Sequence, residues 1–460
     1  MRPTVFIPTF VTRSIRTTTF VFMTATMVSL AALVPPDANP ALYFYDAYTR
    51  IPPIKKPTTT NETRREQMIH NSISGRRVWI VGASRGLGAG LAKVLYQGGA
   101  RLILSARDVD ALERLAEDLH GGDSPNDDNG NGRRKVGVVP LDVSDIDGEA
   151  IPKAVTEAIA YHGGIDLLIL NAGAGQLHPA LLEGGEGDDV GITMPTTRGL
   201  MDLNFFGPVR ITTELARRDG WGLGLGSGLD NGKISDKNRS SDKNRNSRGK
   251  KMGHIVVTSS VAGIIPVPLC ASYAASKHAL HGYFTSLRAE NSDWLRVDLP
   301  CAGPIDTEFQ KRVKTVESEG KMKEECMDDV VPPTEGIKDA SPSLLPLPPQ
   351  PQEASKMPLG RCVDLIISSI IGPSSLMYET WISRQPTLTF LYLERYLPDV
   401  FNAIMGSIGP VRKKAWEEGL PLYEAGGLIR AAAMLKEEEK KEARSNYGNG
   451  NCKIKLDKDD

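Results

Sequence analysis

From Arg76 onward, short apolar runs and helical stretches take turns along the chain, and this alternation most narrows what the sequence can fold into. "RRVWIVG", "ARLILSARD", "KVGVVPLDVSD", "IDLLILNAG", "GHIVVTSSVAG" and "WLRVDLPCAG" read as successive strands, and "LMYETWIS" as a last one closing the sheet. "GLGAGLAKVLYQGG", "DALERLAEDL", "LNFFGPVRITTELARR" and the stretch around "YAASK" read as helices between them. Strands that are almost continuously apolar are buried on both faces, as in a parallel sheet covered by crossover helices. The predicted fold class is α/β, a doubly wound parallel sheet in one domain over residues 76–425.

Outside that pattern the chain changes character. Arg13 and Arg16 precede the uncharged run Thr17 to Val34, which Pro35, Pro36 and Asp37 end. Its length is close to the lower limit for a membrane-spanning helix. Residues 1–45 are therefore expected to be a targeting or membrane-anchor segment, with a cleaved signal and an organelle transit peptide as open alternatives. Residues 46–75 are expected to link it to the domain. Low-complexity insertions are expected at 121–134, 220–251 and 341–355, the second holding the tandem "SDKNRS" and "SDKNRN", and residues 426–460 form a charged tail expected to be a fraying helix and disorder. The run Leu388 to Met405 is apolar enough to line a substrate channel, pack a dimer interface or lie on a membrane, with an ordinary packed helix as the plain reading. The sequons at Asn61 and Asn238 would be glycosylated if the domain were lumenal.

Charge excludes one class of partner. Lys+Arg and Asp+Glu total 55 and 56, a net charge of -1, so no nucleic-acid partner is expected. The cysteines at 270, 301, 326, 362 and 452 are odd in number and lack metal-ligand spacing, so neither a disulfide framework nor a metal site is expected.

"VGASRGLG", Val81 to Gly88, falls between a predicted strand and a predicted helix. Glycines there permit a tight turn and close backbone approach, and the helix amino terminus offers N–H groups to a pyrophosphate. A dinucleotide site selective for NAD carries an acidic residue at the end of its second strand. Here Ala106 and Arg107 stand there and Arg85 projects from the glycine turn, which favours NADP(H), although Asp108 is adjacent.

"SYAASKHAL" places Tyr273 and Lys277 one helical turn apart. A tyrosine with a free pKa of ~10 transfers protons at neutral pH only if something stabilises its phenolate, and an adjacent ammonium can do so. Tyr273 could then serve as acid or base at a carbonyl. Such a carbonyl also needs a second donor, for which "VVTSSVAG" offers Ser259 or Ser260. Taken alone, these serines and Asn204 of "LNFFG" could equally satisfy local backbone groups.

These motifs together resemble the short-chain dehydrogenase/reductases. The family's T-G-x3-G-x-G becomes Val81-Gly82-x3-Gly86-x-Gly88, with valine for threonine, and its N-N-A-G becomes "LNAG", with Leu170 for the first asparagine and Asn171 kept. The resemblance covers roughly residues 76–309 and implies a Rossmann fold. It implies the tetrad Asn204, Ser260, Tyr273 and Lys277, Ser260 being preferred to Ser259 because thirteen residues separate it from the tyrosine. It assigns NADP(H) binding to Gly82, Ser84, Arg85, Gly86, Leu87, Gly88, Arg107, Asp142, Asn171, Tyr273, Lys277 and Thr307, the last in "GPIDTEF".

Farther on, "GRCVDLIISSI" and "YETWISRQPTLTFLYLERYLP" resemble the carboxy-terminal part of the membrane-associated member-seven group, relatives of 11β-hydroxysteroid dehydrogenase type one. The expectation is an NADP(H)-dependent reductase of lipophilic carbonyls such as steroids or retinoids, reversible as an alcohol dehydrogenase. It is expected to be held at the endoplasmic reticulum and, as the family suggests, to be a homo-oligomer. A 3-ketoacyl or 3-ketosphinganine type reductase and a non-catalytic NADP(H)-binding regulator are the alternatives.

Overall fold

The computed structural model describes residues 35–50, 63–121, 136–175, 177, 179–180, 190–218, 229–230, 233–234, 253–307, 356–374, 377–420 and 425–449. The expected apolar run at 17–34, both sequon asparagines, Asn61 and Asn238, most or all of each insertion and residues 450–460 lie outside them. Within the 220–251 insertion, Leu229–Asp230 pairs antiparallel with Lys233–Ile234.

Helices α1 (Pro40–Arg50) and α2 (Arg64–Ile73) lead into β1 (Arg77–Val81), α3 (Gly86–Gln97), β2 (Arg101–Ser105), α4 (Val109–Gly121), β3 (Gly137–Val138), α5 (Ala150–His162) and β4 (Leu167–Leu170). Next come α6 (Val190–Met201), a π-helical turn (Asp202–Phe206), α7 (Gly207–Ala216), β5 (Gly253–Val257), α8 (Ala271–Glu290), β6 (Leu295–Ala302), α9 (Leu359–Ile371), β7 (Glu379–Ile382), α10 (Thr387–Tyr396), α11 (Pro398–Glu417) and α12 (Ala425–Asn449). The strands pair in parallel in the order β7-β6-β5-β4-β1-β2-β3, and Ser259–Ser260 adds a short parallel pairing to β6.

Strand alternation builds a core on each face. Val78, Ile80, Leu102, Leu104, Leu167 and Ile169 point one way, against α3, α4 and the apolar face of α9. Trp79, Val81, Ile103, Leu168, Ile255 and Val297 point the other way, against α5, α7 and Phe284 of α8. Period-two burial of this kind fixes the register, because a one-residue slip would exchange the two faces. Of the run Leu388 to Met405, Leu388, Leu391, Leu393 and Phe401 are buried around Trp381.

The segment expected to be anchor and linker holds two packed helices. Thr63 and Glu66 close a reciprocal cap on α2, Glu66 N donating to Thr63 Oγ1 at 3.3 Å and Thr63 N to Glu66 Oε2 at 2.7 Å. Asp46 on α1 is 1 % exposed and accepts from Arg65, Arg361, Arg50 and Ser368, which binds α1 to α2 and α9. Upstream, Asn39 N donates to Trp381 O at 3.0 Å and Ser383 N to Asp37 O at 3.1 Å, so the chain is paired to β7 before α1 begins.

Candidate active site

The sheet reverses its winding at β1 and β4, and the ends of parallel strands beside such a reversal form a crevice. The glycine turn occupies one side of it. Gly82 has φ +89°, and a Cβ there would stand 2.4 Å from Ala172 N. A Cβ on Gly88 would stand 2.0 Å from Gly82 O, so helix and turn touch backbone to backbone. Gly86, by contrast, meets nothing nearer than Thr307 Cγ2 at 3.9 Å.

The end of β4 braces the turn. Asn171 Nδ2 donates to Gly82 O at 2.9 Å, while the Asn171 and Ala172 amides both donate to Val81 O. Arg85 caps α3 without any side-chain bond to its first-turn amides. Unsatisfied first-turn N–H groups and the helix dipole suit an anion, so the residues present fit a pyrophosphate. Ser84 is half-buried beside them, and the Leu87 side chain is turned into the core, which leaves only its backbone to face a ligand.

The remaining predicted cofactor residues lie on the same edge. Arg107 is exposed, and Arg85 pairs with Asp108. Asp108 Oδ1 accepts from Ala111 N at 2.9 Å, and that amide together with Arg85 holds its carboxyl below the usual carboxylate range. Asp142 accepts from Ser144 N at 2.9 Å and Ser144 Oγ at 2.6 Å. Thr307 stands against the glycine turn, its amide donating to Ile305 O at 3.0 Å.

Across the crevice, α8 carries Tyr273 and Lys277, with Lys277 Nζ 5.8 Å from the Tyr273 ring centroid. Lys277 is 5 % exposed and donates to Thr258 O at 3.1 Å. Burial pulls its pKa down to about 8, against a smaller upward effect of Cys301. At pH 7 the ammonium still predominates, by roughly ten to one.

Asn204 sits in the π-helical turn and is fully buried. Its Nδ2 donates to Ala174 O and Ser276 Oγ, and its Oδ1 accepts from Ala174 N, all at 3.0 Å. Gly173 makes this convergence possible: a Cβ there would lie 3.1 Å from Asn204 Oδ1 and 3.7 Å from Lys277 Nζ. The adjacent serines diverge, as strand neighbours do. Ser259 is buried with Oγ 2.8 Å from His281 Nε2, whereas Ser260 is half-buried and caps a short 3-10 turn through Ala262 N at 3.2 Å.

Gly173, Ser276, Thr258 and His281 belong to this assembly and were not singled out from the sequence. The first two are marked only by their small size within "NAG" and "YAASK". Among the described residues no cluster of His, Cys, Asp and Glu could hold a metal, and Cys270, Cys301 and Cys362 are buried and free.

The profile of the short chain dehydrogenase family matches residues 76–221 and 245–318, which hold the glycine turn and all four tetrad positions. The chain belongs to the short-chain dehydrogenase family. As a short-chain dehydrogenase it is an oxidoreductase. Dehydrogenase/reductase SDR family member 7 of Homo sapiens is 29% identical over 353 residues, 75% of this chain and 80% of that protein. The SDR family protein 7-like of Drosophila melanogaster is 31% identical over 52% of this chain and 59% of its own length. Among solved structures, the alcohol dehydrogenase of Thermococcus sibiricus complexed with 5-hydroxy-NADP aligns at TM-score 0.44 and 19% identity, covering 68% of this chain and 97% of that one. Among the described residues of this short-chain dehydrogenase, no helix is long and apolar enough to cross a membrane.

Proposed function

We propose that the protein is an NADP(H)-dependent reductase of lipophilic carbonyl compounds, steroids, retinoids or similar, working in reverse as an alcohol dehydrogenase. One observation carries the reading: a buried lysine and a tyrosine share one face of α8, beside a half-buried serine and across from the glycine turn.

NADP(H), when bound, supplies the hydride. Gly82, Ser84, Gly86, Gly88 and the Leu87 amide would hold its pyrophosphate at the start of α3, with Asn171 fixing the turn and Thr307 closing it. Arg85 and Arg107 would take the 2'-phosphate, and Asp142 would line the base side. Tyr273 holds the proton that passes to the carbonyl oxygen. Bringing a phenol from about 10 to about 7 takes roughly 4 kcal/mol of preference for the charged form, and the Lys277 ammonium, 5.8 Å from the Tyr273 ring centroid, is placed to supply part of it. Ser260 orients and polarises the carbonyl. Asn204 ties the π-helical turn to Ala174 and to the helix bearing Lys277, which keeps that ammonium in place.

We further infer from the apolar run at 17–34 and the relatives' similarity that the enzyme is membrane-associated at the endoplasmic reticulum and self-associates. A lipid reductase of the 3-ketoacyl or 3-ketosphinganine type differs only in the substrate that it accepts.

The test is turnover by the full chain in detergent, with NADPH or NADH and a panel of steroid, retinoid, long-chain 3-ketoacyl and simple carbonyls. NADPH-preferring turnover that Tyr273→Phe abolishes supports the reading, and the best carbonyl separates the substrate classes. Tight NADPH binding without turnover, unchanged in Tyr273→Phe, replaces it with a binding regulator.

A further inference from the structure

Behind Ser260 lies a polar chain that the proposed chemistry does not use. Ser259 Oγ is 2.8 Å from His281 Nε2, and the other ring nitrogen, Nδ1, is 3.6 Å from Glu379 Oε2. The second Glu379 oxygen, Oε1, accepts from Trp381 Nε1 at 2.9 Å. Cys301 Sγ lies 3.6 Å from the same His281 Nε2 and bonds to Leu299 O. The carboxylate beside Nδ1 favours the tautomer with the proton there, leaving Nε2 to accept from the Ser259 hydroxyl.

Four elements meet at this ring. Ser259 lies on the short strand that ends in Ser260, His281 on α8, Cys301 on β6 and Glu379 on β7. His281 follows Lys277 by one helical turn, so the residue that grips the serine strand shares a helix with Tyr273 and Lys277. Gly263, in the turn that follows Ser260, makes room for the ring: a Cβ there would come 2.8 Å from His281 Cδ2. The ring is thus wedged between the segment that presents the Ser260 hydroxyl and the helix that presents the acid.

We propose that His281 is a positioning residue for carbonyl reduction, which through Ser259 and Glu379 sets the placement of Ser260 relative to Tyr273 and Lys277. This rests on the reductase reading above. The distance between the carbonyl's two hydrogen-bond donors is what an oxyanion-stabilising pair must hold fixed, and a misplacement of about 1 Å can cost on the order of a hundredfold in rate. The side chains of Ser259 and His281 bond to each other and onward to Cys301 and Glu379, away from the residues assigned to the cofactor, so the effect should fall on kcat and spare cofactor affinity.

The experiment measures kcat, the carbonyl KM and the NADPH Kd for the full chain and for His281→Leu, His281→Gln, Ser259→Ala and the Ser259→Ala/His281→Leu double variant. His281→Leu should lower kcat about tenfold or more with the NADPH Kd within about twofold, and Gln, whose amide reaches the Nε2 position, should restore much of the rate. The double variant should lose no more than His281→Leu alone, as for two members of one unit. Unchanged kcat in His281→Leu and in Ser259→Ala, a loss confined to NADPH affinity, or losses that multiply in the double variant would each overturn the proposal. Should His281→Leu fail to fold, Ser259→Ala still decides: kcat equal to that of the unaltered chain rejects the arrangement. Turnover that survives Tyr273→Phe would instead sink the underlying reductase reading.

Discussion

Arg85 and Asp108 form an ion pair at the outer rim of the glycine turn, one from the start of α3 and the other capping α4. Both side chains are partly exposed, so the pair contributes at most about 1 kcal/mol. Asp108→Asn keeps an acceptor for Ala111 N and releases the guanidinium. It is expected to tighten NADPH by about three- to fivefold and leave NADH nearly unchanged, measured by fluorescence titration. An equal gain for NADH would mean that Arg85 does not contact the 2'-phosphate.

Lys277 gives the rate a definite pH signature. Its pKa of about 8 in the folded chain means that the ammonium, and with it the support for the Tyr273 phenolate, is lost as pH rises through that value. Reduction should show an alkaline limb centred near pH 8, and Lys277→Met should abolish the limb and lower kcat about 100-fold or more. Stability moves oppositely. The unfolded lysine still binds its proton at pH 9 where the buried one does not, so this group makes folding more favourable as pH rises from about 8 toward ~10.4. Pairing pH–rate profiles with Tm against pH separates the two.

At Gly88 the contact with Gly82 O leaves no room for a methyl. Gly88→Ala must push α3 away from the turn, an overpacking cost of about 1–3 kcal/mol or more. The expected result is a lower Tm and NADPH binding weakened by tenfold or more. Unaltered binding would show that the turn adapts and is not the cradle proposed for it.

The Asp46 cluster predicts where the chain can be cut. Burial would raise its carboxyl, yet hydrogen bonds from Arg361 and Ser368 prevail and hold it at about 2. Asp46→Ala leaves Arg65 and Arg361 without their shared acceptor and should cost about 3 kcal/mol. Compared with a chain beginning at residue 35, one beginning at residue 46, lacking Leu42 and the pairing at residues 37–39, should melt lower. Acid adds a check. The folded carboxyl titrates below its unfolded value of ~3.9, so its contribution is present above that pH and fades as pH falls toward 2, and Asp46→Ala should flatten that part of the stability curve.

Much of this was legible beforehand because the responsible signals are local. The period of apolar runs gives strands and crossovers, the spacing of Gly82, Gly86 and Gly88 gives a turn onto a helix, and i,i+4 spacing puts Tyr273 beside Lys277. β3 is shorter than its apolar run suggested, since after Gly137–Val138 the chain bonds to β2 and its extension only at intervals. The two leading helices carry a local mark, Thr63 and Glu66 in capping positions, but α1 is held by Asp46, whose partners Arg361 and Ser368 stand more than 300 residues away. Nothing near Asp46 in sequence announces them. His281 was illegible for the same reason: its neighbours Ser259, Cys301 and Glu379 come from three separate strands that meet only when the sheet forms.

The pairing of residues 37–39 with β7 has a geometric outcome. Ala38 bridges to Ile382, the last residue of β7, so the chain crosses there at the carboxyl edge of the sheet, the edge that also bears Gly82, Asn171 and Ser260. Residues 37–39 are therefore a fixed part of that edge, held there by backbone hydrogen bonds to β7 and the residue after it. A tether to a lipid surface at that point would hold the mouth of the crevice toward the lipid, and a greasy substrate could pass from one to the other without crossing open water.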